Sequence, residues 1–149
     1  MKTLFDLEAR NEVLLRIEKL SPDSVRQWGL MDPAQMLAHC EKTLEMALGL
    51  INPPRVFIGR IIGPFLHSVY TSDTPLKKNT PTEKMIQVTE PKDFEQEKER
   101  VIKMIKQFGE GGEAKATKHA HPFFGKLSAE AWGKGMYKHF DHHLRQFGA

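Results

Sequence analysis

The sequence predicts an all-α protein, a four-helix bundle with one long crossover connection. Three observations carry that prediction. Apolar residues recur at helical spacing in four long stretches; capping residues open the later three; and the one strand-like segment, "KMIQV", has no partner with which to build a sheet. Four amphipathic helices with short links and a single crossover describe a bundle.

The elements follow in order. The first helix is expected from about Phe5 to Leu20, with Leu7, Val13, Leu14, Ile17 and Leu20 as its apolar stripe. "SPDS" at 21–24 offers a cap followed by proline, and predicts a short helical turn through Trp28. The second long helix opens at "MDPAQ", where Asp32 is the N-cap, Pro33 the first helical residue and Gln35 the capping-box partner. It should run to about Leu50, where "NPP" at 52–54 stops it. An apolar segment from Arg55 to about Tyr70 is expected to be helical with a break at Gly63–Pro64. Residues 71–92 hold three prolines and little periodicity, and read as an extended crossover that either covers a site or simply connects. The next helix starts at Asp93, presents Phe94, Val101, Ile102, Ile105 and Phe108, and is expected to end at Gly109 and "EGGE". After "KHAHPFFGKL", Ser128 caps a last helix from about Ala129 to Phe147.

A chain of 149 residues is most simply one domain over 1–149, large enough to bury about 70% of its unfolded surface without a metal or disulfide. The lone cysteine, Cys40, excludes an internal disulfide framework and fits a reducing compartment. "MKTLFDLEARNEVLL" carries acids where a signal peptide needs an apolar core, so a cytoplasmic location is expected. The longest apolar run, "VFIGRIIGPFLHSVY", is interrupted by Arg60, two glycines and Pro64 and is too short to span a bilayer, so no membrane role is expected. The net charge of +3 is spread over scattered lysines, with Lys77–Lys78 the one tight cluster. That pattern argues against a nucleic-acid partner.

The closing stretch "GMYKHFDHHLRQFGA" places three of the seven histidines within five residues. On a helix advancing about 100° per residue, His139 and His143 lie one turn apart at the edge of the arc holding Trp132, Met136, Phe140 and Phe147. His142 falls outside that arc. An i, i+4 histidine pair can present two imidazole nitrogens to one cation, the spacing of "HExxH" helices. The residues between them are Phe-Asp-His, so the glutamate base of a metallopeptidase is missing. The same construction on "AQMLAHCEKTLEMALGL" sets His39 at the edge of a stripe with Met36, Cys40, Thr43 and Ala47. Three inward imidazoles from two packed helices have a natural meeting point, and a shared divalent cation would satisfy them together.

Other residues carry two readings each. His121 in "HAHPFFG" either lines a pocket and donates a proton as a catalytic group, or anchors its loop by a hydrogen bond. Trp132 and Met136 share the face of the histidine pair, as core or as the wall of a substrate pocket. Arg145 and Lys138 would either draw in an anionic substrate or stand as solvated helix charges. Cys40 reads as a small buried hydrophobe, and His119 and His67 as ordinary residues.

His39 in "MLAHCEKTL", taken with "HFDHHLRQ", resembles the DinB/YfiT-like superfamily of four-helix metalloproteins. The stretch "HPFFGKLSAEAWGKGMYKHFDHHLRQFG" is similar to its branch of short bacterial proteins of unknown function, and the likeness covers nearly the whole chain. The resemblance implies that His39, His139 and His143 bind a divalent metal, usually zinc or nickel. Many members follow the pair with Arg-Gly-Gln, where this chain has Leu144-Arg145-Gln146. It also implies a metal-dependent enzyme acting on a small molecule, with transfer of a low-molecular-weight thiol to an electrophile as the leading chemistry. Metal-dependent hydrolysis is the second reading. A non-catalytic metal- or small-molecule-binding module, with homodimer contact among its roles, is the third.

Overall fold

The computed structural model describes residues 1–80 and 84–149. Four long helices make the bundle: α1 (Leu7–Glu18), α2 (Pro33–Leu48), α5 (Phe94–Lys115) and α6 (Ala129–Gln146). Between α2 and α5 lie two short helices, α3 (Phe57–Ile62) and α4 (His67–Thr71), joined by a 3-10 turn over Gly63–Leu66. A second 3-10 turn covers Lys84–Ile86. Among the described residues the only β feature is a single antiparallel bridge, His121 to Gly125. The protein is a helical bundle.

The expected caps are in place. Asp32 accepts from the Gln35 amide at 2.8 Å while the Gln35 side chain accepts from the Asp32 amide at 3.0 Å, a complete capping box behind Pro33. Asp93 and Ser128 accept from the amides of Gln96 and Ala131. α2 ends at Gly49, whose φ of +75° supplies the left-handed stop.

α1 and α2 both pack on α5 and α6, and not on each other, so these two stand diagonally across the bundle, while α2 makes its most extensive packing with α5. The core runs through Val13 and Ile17 of α1, Leu37, Cys40 and Leu44 of α2, Val101, Ile105 and Phe108 of α5, and Trp132, Met136, Phe140 and Leu144 of α6. Burying a side chain of this size contributes about 1.5–3 kcal/mol. The N-terminal residues lie along the same layer, with the Leu4 amide donating to the Gly133 carbonyl at 3.2 Å.

Several expectations need correction. α1 is shorter than Phe5–Leu20, and Leu7 faces solvent instead of joining the stripe. No helix forms between residues 21 and 28, where a turn at 22–23 is followed by irregular chain and bends from residue 27. Gly109 does not end α5. It is buried under Arg10, whose guanidinium donates to the Leu4 carbonyl at 3.2 Å, and a Cβ there would meet Arg10 at 2.4 Å. The glycine allows close approach of α1, and that packing outweighs a helix penalty of about 1 kcal/mol. The helical backbone breaks instead at Gly112, with φ +58° and ψ −158°, inside the expected "EGGE" stop, and a short further turn runs to Lys115. "KMIQV" is no strand, since Lys84–Ile86 make a 3-10 turn. The crossover expected over 71–92 starts at the last residue of α4 and then runs as irregular chain, with bends at 72–74, a turn at 78–79 and the 3-10 turn, and its residues 81–83 lie outside the described residues. No helix among the described residues is long and apolar enough to cross a membrane.

Candidate metal centre

The two helices that carry the histidines, α2 and α6, pack directly against each other. His39 and His143 are buried, and His139 is half-buried, leaving the cluster in contact with solvent. The three ring centroids form a nearly equilateral triangle: 4.9 Å from His39 to His139, 4.8 Å from His39 to His143, and 4.6 Å from His139 to His143. One nitrogen from each ring lies within 4.8 Å of the others, close enough for the three to bind a metal ion.

The far side of each ring fixes its tautomer. His39 Nδ1 lies 2.8 Å from the Ile86 carbonyl oxygen, which can only accept, so Nδ1 carries the proton. His139 Nδ1 faces Thr43 Oγ1 at 3.4 Å. That hydroxyl already donates to the Cys40 carbonyl at 2.7 Å, so it accepts from the ring. His143 Nδ1 lies 2.9 Å from Gln146 Oε1, and the Gln146 amide nitrogen is committed to the Trp28 carbonyl at 2.7 Å. Each neutral imidazole therefore turns a bare Nε2 lone pair away from its partner. A backbone or side-chain acceptor behind every ring is the support that histidine ligands ordinarily have.

The consequence is sharpest where His39 Nε2 and His139 Nε2 stand 3.0 Å apart. With both protons on Nδ1, no hydrogen bond joins them, and two lone pairs confront each other. A proton could intervene if one ring became imidazolium, but the surroundings oppose it. Burial holds His39 below its ordinary value, and the Ile86 hydrogen bond only partly offsets this. Burial, then the charges of His143 and His39, push His139 well down. His143 is pushed down to about 3, again by burial and then by His39. A cation relieves the confrontation. Metal–nitrogen bonds of about 2.0–2.1 Å in a tetrahedral site set ligand nitrogens about 3.4 Å apart, and the His39–His139 pair already approaches that spacing. The donor set fits zinc or nickel, both of which accept imidazole nitrogen.

The remaining candidates are placed as follows. His121 is enclosed by Tyr70, Phe124 and Trp132, and its Nδ1 accepts from the amides of Phe123 and Phe124 at 3.1 and 3.2 Å. That is the loop-anchoring geometry, with burial lowering the ring to about 4. Trp132 and Met136 are core residues, and the Trp132 indole nitrogen has no hydrogen-bond partner. Arg145 is turned away from the triad and paired with Asp141 at 3.0 Å, a carboxylate that also holds Arg16 at 2.8 Å. Lys138 is no solvated charge. It is buried and donates to the carbonyls of Val69 and Ser72, closing the C-terminal end of α4. His142, outside the triad, faces Trp28 and a backbone bond at Leu76. Cys40 is buried beside Met36, 3.7 Å from its sulfur, and burial raises its thiol. His67 is half-buried and His119 exposed.

Three supporting groups were not assigned roles from sequence: Thr43, Gln146 and the Ile86 carbonyl. Thr43 stood on the same wheel arc as His39, and Gln146 follows His143 by three residues, so both left a spacing signal. A backbone carbonyl brought from the crossover leaves none.

Comparison with curated proteins finds no match, and neither does comparison with solved structures. A family model does match, over residues 2–149, and its description is a protein of unknown function (DUF1569). The chain, with its three-histidine cluster between α2 and α6, belongs to that family.

Proposed function

We propose that the protein is a divalent-metal-dependent enzyme of the DinB/YfiT-like kind, holding zinc or nickel through the Nε2 atoms of His39, His139 and His143. The observation that carries the reading is the set of three bare Nε2 atoms created by the acceptors at Ile86, Thr43 and Gln146. Three protein ligands leave a coordination position for a small molecule, as catalytic rather than structural sites do. When bound, such an ion supplies Lewis acidity, lowering the pKa of a thiol or water or polarising a carbonyl.

The residues of the chain do the rest. Thr43, Gln146 and Ile86 hold the rings in one orientation, and burial keeps them neutral. The partial exposure of His139 gives a small molecule a way in. No aspartate or glutamate belongs to the cluster among the described residues. Transfer of a low-molecular-weight thiol to an electrophilic carbon needs no carboxylate base, and is therefore the leading reaction class. Its reduced thiol pool places the activity in the cytoplasm.

The test is metal analysis of protein purified without a histidine tag. About one equivalent of zinc or nickel is expected, lost in His39→Ala and His143→Ala and kept in His142→Ala. Incubation with thiols and a panel of electrophiles should then give metal-dependent conversion that His139→Ala abolishes. Absence of bound metal in the wild type, after reconstitution with both ions, refutes the reading.

A further inference from the structure

We propose that the outward face of residues 57–69 is a two-fold interface between two copies of this chain. α3 and the turn after it are docked with their bulk reversed. The inward positions are Gly59 and Gly63, where a Cβ would lie 2.6 and 2.0 Å from the Phe123 carbonyl oxygen. Backbone therefore meets backbone. The contact is tied by the Val56 amide to the Pro122 carbonyl at 3.1 Å, and by Arg55, which reaches the carbonyls of Gly59, Pro122 and Phe123. The large apolar side chains, Phe57, Ile58, Ile61, Ile62, Phe65 and Val69, all point to solvent, Phe57 and Phe65 being 78% and 83% exposed. An amphipathic helix that served only its own core would be turned the other way.

The area identifies the occupant. With full side chains of about 150–200 Å², these six expose on the order of 600 Å² of contiguous apolar surface, at the upper limit for a monomer. Pairing the same face on two copies removes on the order of 1,200 Å² in total, above the roughly 1,000 Å² that a specific interface requires. A face pairing with itself must also avoid opposing like charges. Between Glu45 and Asp73 the chain holds only two charges, Arg55, spent on loop carbonyls, and Arg60. A membrane surface fits less well. Interfacial helices carry several lysines or arginines on the face opposite the apolar one, and here that face is glycine packed on protein.

Sedimentation velocity and light scattering on the full chain across a concentration series test this. The wild type should sediment as a species of twice 17.1 kDa that dissociates on dilution. Phe57→Glu combined with Phe65→Glu should give a monomer at the same concentration with unchanged helical circular dichroism. Ile61→Lys alone should weaken dimerisation at least tenfold, and Leu30→Glu, an exposed leucine outside the segment, should leave it intact. A wild type that stays monomeric at 100 μM overturns the proposal, as does a dimer that survives the double variant. Co-sedimentation of monomeric wild type with vesicles of phosphatidylcholine and phosphatidylglycerol overturns it in favour of a lipid surface.

Discussion

Consider the metal-free protein as the pH falls. His143 titrates near 3 in the fold and His139 well below its ordinary value, whereas both rings take up protons near 6.5 once unfolded. The folded pKa is depressed, so the stability these rings contribute is present above about 6.5. It is lost as the solution is acidified towards the folded value, because the unfolded chain then binds the extra protons. At pH 5.0 holding His143 neutral costs the fold about 2 kcal/mol relative to pH 7.5, and His139 adds a cost of the same sign. His39, lowered by its burial, acts in the same direction. Against a net stability of about 5–15 kcal/mol, this is a large fraction. The assay is urea unfolding followed by circular dichroism, in chelator, at steps from pH 7.5 to 5.0. His143→Gln should remove about 2 kcal/mol of the wild-type pH dependence. A wild-type stability constant to within 1 kcal/mol over that range would refute the argument, as would an identical slope in the variant.

Three further outcomes follow from single contacts. Gln146→Leu deletes the acceptor behind His143 and should weaken zinc binding about 10–100-fold in a competition titration with a chromophoric chelator. Glu41 is raised by burial, then by its hydrogen bond to Glu97 and the charges of Glu97 and Glu45. Its folded pKa exceeds the unfolded one, so Glu41→Gln should stabilise the protein modestly at pH 7.5, with the gain vanishing near pH 4 in the same unfolding assay. Gly63→Ala sets a methyl 2.0 Å from the Phe123 carbonyl oxygen and should lower the melting temperature, at a cost of about 1–3 kcal/mol. An unchanged midpoint in differential scanning calorimetry would show that the 57–66 segment is free to shift.

Much of the bundle was legible because helix signals are local. Asp32 with Pro33 and Gln35, Asp93 with Gln96, and Ser128 each declare a helix start within four residues, and each makes the expected hydrogen bond. Periodicity also brought His39, His139 and His143 to facing edges, since packed helices bury the stripes that carry them. Errors arose where distant contacts decide. Gly109 reads as a stop until Arg10 is seen lying over it, and the run from Phe57 to Val69 reads as an apolar helix of undetermined facing until Gly59 and Gly63 are found against the loop. Lys138 looks solvent-bound until α4 folds back and offers its carbonyls. The supports of the triad divide the same way, with Gln146 and Thr43 readable from spacing and the Ile86 oxygen hidden in the backbone.

The Ile86 carbonyl has a particular evolutionary meaning. An oxygen belonging to the main chain survives every amino-acid replacement at its own position, so the orientation of His39 is immune to point mutation there. What would disturb it is a change in chain length that shifts the register of the 84–88 stretch. Relatives should therefore tolerate exchange among apolar residues at Ile86 and Val88, which pack inward, while insertions and deletions beside the turn are purged.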